Sequence, residues 1–283
     1  MHDHAFTSKT GRLGIKTESI YKYINGIRIM RILIGSDIEG IATACDWDSI
    51  TPGNQDYERN RVQYTREVNA AIEGAFNAGA TEVCVRDGHG GNKALIPELL
   101  DKRALHIKGR CSEDYRAMIL TIETGYDAVL FLGYHAKART PDGVLAHTMA
   151  RAVDEFTLNG ISLPEMGYNA LVAGTYNTPI VYLSGDRAAC RQAKELFGDI
   201  VTTSVKEGLS NNSAICLHPE VACDKIRKDV EVALTRGHRC IYRMEGPYTM
   251  YCSIRRNYEA PNIEKTLHTA SLEEALHLFW TLT

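Results

Sequence analysis

Apolar positions along the chain follow two spacings that alternate. Residues 31–36, 81–86, 104–107 and 180–183 read as strands, and 127–133, with the apolar core Ala128-Val129-Leu130-Phe131-Leu132, reads as the clearest strand covered on both faces, which needs no polar alternation. Across 57–78, Val62, Thr65, Val68, Ala71, Ile72, Ala75 and Phe76 recur at helical spacing and stop at Gly79, which predicts a long amphipathic helix. Further helices are expected at 97–101, 112–125, 165–176, 186–196, 219–235 and after Ser271. Ser112 suits the start of the second of these, because its hydroxyl accepts backbone N–H groups and Glu113 and Asp114 favour the positive end of the helix dipole. Two strands flank Asn159-Gly160, a pair that tolerates the positive φ of a tight turn, and another strand spans 248–254. Strands alternating with helices predict an α/β fold: a mostly parallel sheet flanked by helices, with a smaller C-terminal α+β part. The expected organisation is a flexible tail over 1–29, a metal-binding α/β domain over 30–185, and a C-terminal α+β region over 186–283 packed on it. Met30 reads as the opening of the first strand.

Composition narrows the class without giving a function. The 283 residues are 44% hydrophobic and 24% charged, with 8 Pro against 23 Gly, which fits a folded globular chain and excludes collagen-like repeats, coiled coil and disorder. A net charge of -3 gives no overall positive field, so nucleic acid is not the expected partner. The 8 cysteines are dispersed with no C-x-x-C pair, the pattern of free thiols. The first 29 residues hold no apolar h-region and no run approaches 18 apolar residues, so a cytoplasmic protein with no membrane partner is expected.

The candidate chemistry collects where strands end. Asp37 and Glu39 follow the first strand, Asp87 and His89 the second, and His135 the 127–133 strand after Tyr134. If these strands are parallel, their carboxyl ends share one edge of the sheet, where open α/β folds place ligands. Each residue alone has a plainer reading: a solvated loop acid or helix cap for Asp37 and Glu39, a flexible turn for His89 among Gly88, Gly90 and Gly91, a core-edge histidine for His135. Together they are the ligand types of zinc or manganese hydrolases, which points to a metal site. A competing motif is Asp37-Ile38-Glu39-Gly40, which resembles the start of haloacid dehalogenase-type phosphatases with Asp37 as nucleophile. That chemistry has no use for His89 and His135, and Cys190 stands four residues after Asp186 where a second acid would be wanted. The Gly88 to Gly91 loop matches no phosphate-cradling pattern.

Five motifs occur in order: Ser36-Asp37-Ile38-Glu39-Gly40, Asp87-Gly88-His89-Gly90, Leu132-Gly133-Tyr134-His135-Ala136, Ala146-His147-Thr148-Met149 and Glu165-Met166-Gly167-Tyr168-Asn169-Ala170. Together with the stretch from Asn212 to Pro219 they resemble the zinc D-aminopeptidase family, peptidase family M55, from about residue 30 to at least 235. The resemblance implies a two-zinc site, with Mn2+ or Co2+ as substitutes, held by Asp37, Glu39, His89, His135 and Glu165, with Asp37 the bridge. It implies His147 as a catalytic residue that is not a ligand, either moving protons or stabilising the tetrahedral intermediate. Glu165 and His147 enter through the resemblance alone. The loop carrying Pro141-Asp142-Gly143 is one residue longer than the family's usual Pro-Gly. The implied activity is an aminopeptidase acting on short peptides with D-amino acids, in a homo-oligomer that forms a ring, as a decamer. A phosphatase, or a peptide-binding scaffold that has lost its chemistry, are the alternatives. Asp87 is left as a carboxylate that orients His89 from behind.

Overall fold

In this computed structural model residues 23–24, 27–111, 114–236, 238–255 and 261–282 are described. Ser112 and most of the segment 1–29 lie outside them, so the expected cap and tail are not described; Tyr23–Ile24 (β1) and Ile27–Arg28 (β2) pair as a short antiparallel ladder.

The strands Arg31–Ser36 (β3), Glu82–Asp87 (β4), Leu105–Ile107 (β5), Ala128–Tyr134 (β6), Ile180–Asp186 (β9), Val201–Ser210 (β10) and Ser213–Cys216 (β11) form one sheet in the order β11-β10-β9-β6-β3-β4-β5. All neighbours are parallel except β11, which returns antiparallel along the edge. Val153–Leu158 (β7), Ile161–Ser162 (β8), Tyr248–Ile254 (β12) and Ile263–Thr269 (β13) build a smaller antiparallel sheet ordered β13-β12-β7-β8. The helices are Gln55–Asn77 (α1), Glu165–Thr175 (α2), Arg187–Phe197 (α3), Pro219–Thr235 (α4) and Leu272–Leu282 (α5). The expected α/β architecture, a mostly parallel sheet flanked by helices, is therefore present; the smaller part expected at the C-terminus is an antiparallel sheet that also takes β7 and β8 from before residue 185.

Alternation along the central strands divides the core in two. Ile32, Ile34, Val83, Val85 and Leu130 face α1 and α4, while Leu33, Val129, Phe131 and Leu183 face α2, α3, α5 and the small sheet. Burial on both faces is why β6 and β9 read as continuous apolar runs. Asn54 caps α1 by accepting the Asp56 N–H at 3.1 Å, and Asp186 caps α3 by accepting the Ala189 N–H at 2.6 Å. Strands from both sides of residue 185 complete each sheet: β10 pairs with β9, and β12 pairs with β7.

Two local expectations are corrected. The short helix expected over 97–101 is a single 3-10 turn, Pro97–Leu99. The helix expected over 112–125 is replaced in its described part by two short 3-10 turns, Ala117–Ile119 and Ile122–Thr124. Thr121 between them has φ of +76°, which breaks the helical ladder while Met118, Ile119 and Ile122 still reach the core. Strands β10, β11 and β13 carried no apolar signal: β13 and β11 are half-exposed edges, and β10 mixes buried Thr203, Val205 and Lys206 with exposed Leu209 and Ser210.

Candidate metal centre

The loop after β3 lies directly on the end of β6. Asp37 N–H donates to Leu132 O at 2.8 Å and Gly40 N–H to Gly133 O at 2.7 Å. The approach requires glycine on both sides. A Cβ at Gly133, whose φ is +68°, would stand 2.1 Å from Asp37 O, and one at Gly40 would stand 2.1 Å from Tyr134 O. From below, Glu67 Oε1 on α1 accepts the Ala42 N–H at 2.9 Å. From the side, the buried Lys206 Nζ on β10 donates to Glu39 O and Ala44 O. The loop after β4 is organised by Asp87, which accepts His89 N–H at 3.1 Å, Leu95 N–H at 3.0 Å and the Tyr64 hydroxyl at 3.3 Å. Asp87 therefore positions His89 through its backbone and not through its ring.

All six residues singled out in the sequence come together at the carboxyl edge of the parallel strands. They form two groups able to hold a metal: Asp37 with Glu39 and His89, and Glu165 with His135 and His147. His89 Nδ1 is 3.0 Å from Glu39 Oε2 and 3.5 Å from Asp37 Oδ1. His135 Nε2 is 3.2 Å from Glu165 Oε1 and 3.6 Å from Asp37 Oδ2. Asp37 thus turns one oxygen towards each group. Among the described residues Glu165 is the one carboxylate at ion-pair distance from His147, with Oε1 3.6 Å from Nε2. Its ring stacks on His135 with centroids 4.0 Å apart.

Each histidine sets its other nitrogen against a backbone carbonyl: His89 Nε2 on Ile50 O at 3.2 Å, His135 Nδ1 on Ala136 O at 2.9 Å, His147 Nδ1 on Leu145 O at 2.8 Å. With the N–H on those atoms, the free lone pairs of all three rings face the carboxylates, the arrangement that orients metal-binding imidazoles. His135 Nε2 is buried with no hydrogen-bond partner. An orphaned ring nitrogen among three buried carboxylates fits a divalent cation.

The electrostatics describe a site short of positive charge. Burial, with Glu39 beside it, pushes the Asp37 carboxyl up to about 6. Burial also opposes ionisation of Glu39, but the His89 charge outweighs it and holds that carboxyl at about 2. Burial works against a charge on His135, yet Glu165 and Asp37 raise it to about 10, while burial and the neighbouring His135 hold His147 down at about 4. Protons on His89 and His135 stand in for cations, so metal binding would displace them.

Several contributors carried no sequence signal. The turn at Asp48–Ile50, fixed by Asp46 Oδ1 accepting Ser49 N–H at 2.8 Å, serves both groups: it offers Ile50 O to His89 and sets Trp47 edge-on against His147, with centroids 5.2 Å apart. The 135–152 loop has Leu145 at φ +54° and Met149 at φ +61°, flanking His147, and Met149 N–H donates to Glu165 Oε1 at 2.6 Å. A backbone carbonyl has no residue type to betray it; Trp47 could have been noticed as one of only 2 Trp, lying in a polar loop between a strand and a helix.

A site of this kind belongs to a metal-dependent hydrolase. Within that class the chain belongs to the D-aminopeptidase family Peptidase_M55, whose family model matches residues 30–275. A curated D-aminopeptidase from Bacillus subtilis (strain 168) is 37% identical over 193 residues, which cover 68% of this chain and 69% of that protein. The solved structure of the Zn-dependent D-aminopeptidase DppA from Bacillus subtilis, described as a self-compartmentalizing protease, superposes with a TM-score of 0.82 at 29% identity, covering 89% of this chain and 97% of that one.

Proposed function

We propose that the chain is a zinc-dependent aminopeptidase that releases the N-terminal residue, a D-amino acid, from short peptides. The observation that carries this reading is the division of Asp37, with Oδ1 towards His89 and Oδ2 towards His135, which suits a carboxylate shared between two metal ions. Glu39 and His89 would complete one ion's ligands, and His135 and Glu165 the other's. Bound divalent metal supplies a water of lowered pKa and polarises the scissile carbonyl. The protein's own groups do the rest. Glu39 and Glu165, buried and anionic, would offset the charge of the two ions. His147, neutral and with Nε2 towards Glu165, is placed to take a proton and return it to the leaving amine. The ring is 11% exposed, so it closes the site from solvent while staying reachable by substrate.

A phosphatase using Asp37 as nucleophile would leave both rings that face Asp37 without a role, and a scaffold without catalysis would have no need of the six converging side chains. The reading extends to a cytoplasmic, ring-shaped homo-oligomer, a decamer, enclosing its active sites. Self-compartmentalization in DppA supports it, as do the exposed Leu209 and Ile215 on the β10-β11 hairpin and Leu105 on the opposite edge of the sheet. Among the described residues no helix is long and apolar enough to cross a membrane.

The test is metal analysis of the purified chain together with hydrolysis of paired D-Ala and L-Ala dipeptides. Two zinc ions per chain and cleavage of the D series are expected. A chain that carries no stoichiometric metal, and cleaves neither series after zinc, manganese or cobalt is added, sinks the reading.

A further inference from the structure

The side chains of the metal centre are three carboxylates and three imidazoles, and none of them supplies the cationic fork that pairs a peptide's carboxylate end. At the rim, Arg151 is exposed and its guanidinium lies 4.5 Å from the centroid of the Trp47 ring, which meets His147 at 75° with centroids 5.2 Å apart. The cation therefore stands one indole ring away from His147. Among the described residues Arg151 has no carboxylate partner, whereas the other two cations of its own loop, Lys137 and Arg139, are engaged. Lys206 is buried on Glu39 O and Ala44 O, Arg139 pairs with Asp154 at 2.7 Å, and Lys137 donates to Ser162.

The geometry points to Arg151, held over Trp47, as the group that binds the C-terminal carboxylate of a dipeptide and so sets a preference for the shortest substrates. The inference rests on the aminopeptidase reading and names the substrate's other end. In a dipeptide the carboxylate carbon lies three bonds beyond the scissile carbonyl carbon, at about 3–3.7 Å. Arg fits the task because its planar fork pairs both carboxylate oxygens while its face rests on an aromatic ring. The Trp47 stack removes much of the side chain's freedom in advance, so less is lost when substrate arrives. A longer peptide would present a neutral amide at the same place and forgo the charge-assisted bonds.

The experiment compares alanyl-alanine with alanyl-alaninamide, in whichever enantiomeric series the zinc-loaded full chain cleaves. The parent is expected to favour the free acid at least tenfold in kcat/KM. Arg151→Gln is expected to cut that preference tenfold or more, through KM rather than kcat, and Arg151→Lys to restore part of it. Equal constants for acid and amide in the parent overturn the assignment without any variant, as does an Arg151→Gln protein that loses both substrates equally. If the metal-loaded parent cleaves neither, the aminopeptidase reading falls and the carboxylate site with it; if it cleaves both alike, only the carboxylate site falls.

Discussion

His135 and His147 stack 4.0 Å apart, yet their neighbours hold them at opposite ends of titration, one at about 10 and the other at about 4. The difference lies in the carboxylates within reach: His135 faces Glu165 and Asp37, while His147 faces Glu165 only and pays the repulsion of a charged ring beside it. Adjacent groups with opposed proton affinities are a usual sign of divided labour at a reacting centre. His147→Ala is accordingly expected to keep its metal and lose about a hundredfold to ten-thousandfold in kcat. His135→Ala is expected to lose metal as well, and metal analysis beside single-turnover assays reads both outcomes. Metal loss in His147→Ala would instead make it the third ligand of its group. Asp37, Glu39, His89 and His135 were legible because each follows an apolar strand directly. Glu165 and His147 became visible only through the ordered motifs, since a first-turn helix acid and a loop histidine are common without chemistry. Lys206 stayed hidden because nothing in a sequence distinguishes a buried lysine on two carbonyls from a solvated one.

At the scale of elements, the site depends on the loop after β3 lying flat on the end of β6, which two glycines permit. Gly133→Ala would force a Cβ into Asp37 O from a left-handed backbone, a strain on the order of 1–3 kcal/mol before any shift of the loop is counted. Because the atom struck belongs to the backbone of Asp37, the proposed bridge, the substitution is expected to lower the denaturation midpoint and metal content together. A variant that lost stability but bound two ions would separate the loop contact from the site. The parallel strands and the flanking helices were readable from periodicity because their burial is two-sided or one-sided in a regular way. The 112–125 stretch was not, because its apolar residues reach the core from two turns separated at Thr121. Strands β11 and β13 escaped for the opposite reason, being edges with little to bury.

For the molecule as a whole, the near-neutral charge conceals a concentrated anionic site, and removing its cations should be felt well beyond it. The ligands come from loops after three strands and from the start of α2, so bound metal ties these elements together. At 100 times its dissociation constant a ligand adds about 2.7 kcal/mol to stability. For a chain of this size that corresponds to roughly 4–5 °C in Tm per bound ion, so a chelator is expected to lower the melting temperature by at least that much and added zinc to restore it. An unchanged Tm would mean that the metal-free loops are already as firmly held by the protein alone.

Lys206 carries a consequence for the order in which the chain becomes competent. All six site residues precede it, so they leave the ribosome first and their strands can pair before β10 exists. Until β10 docks, the carbonyls of Glu39 and Ala44 lack their buried donor. The nascent chain thus exposes every ligand before it owns the brace for the loop that carries two of them, and synthesis must run past residue 206 before the loop can settle.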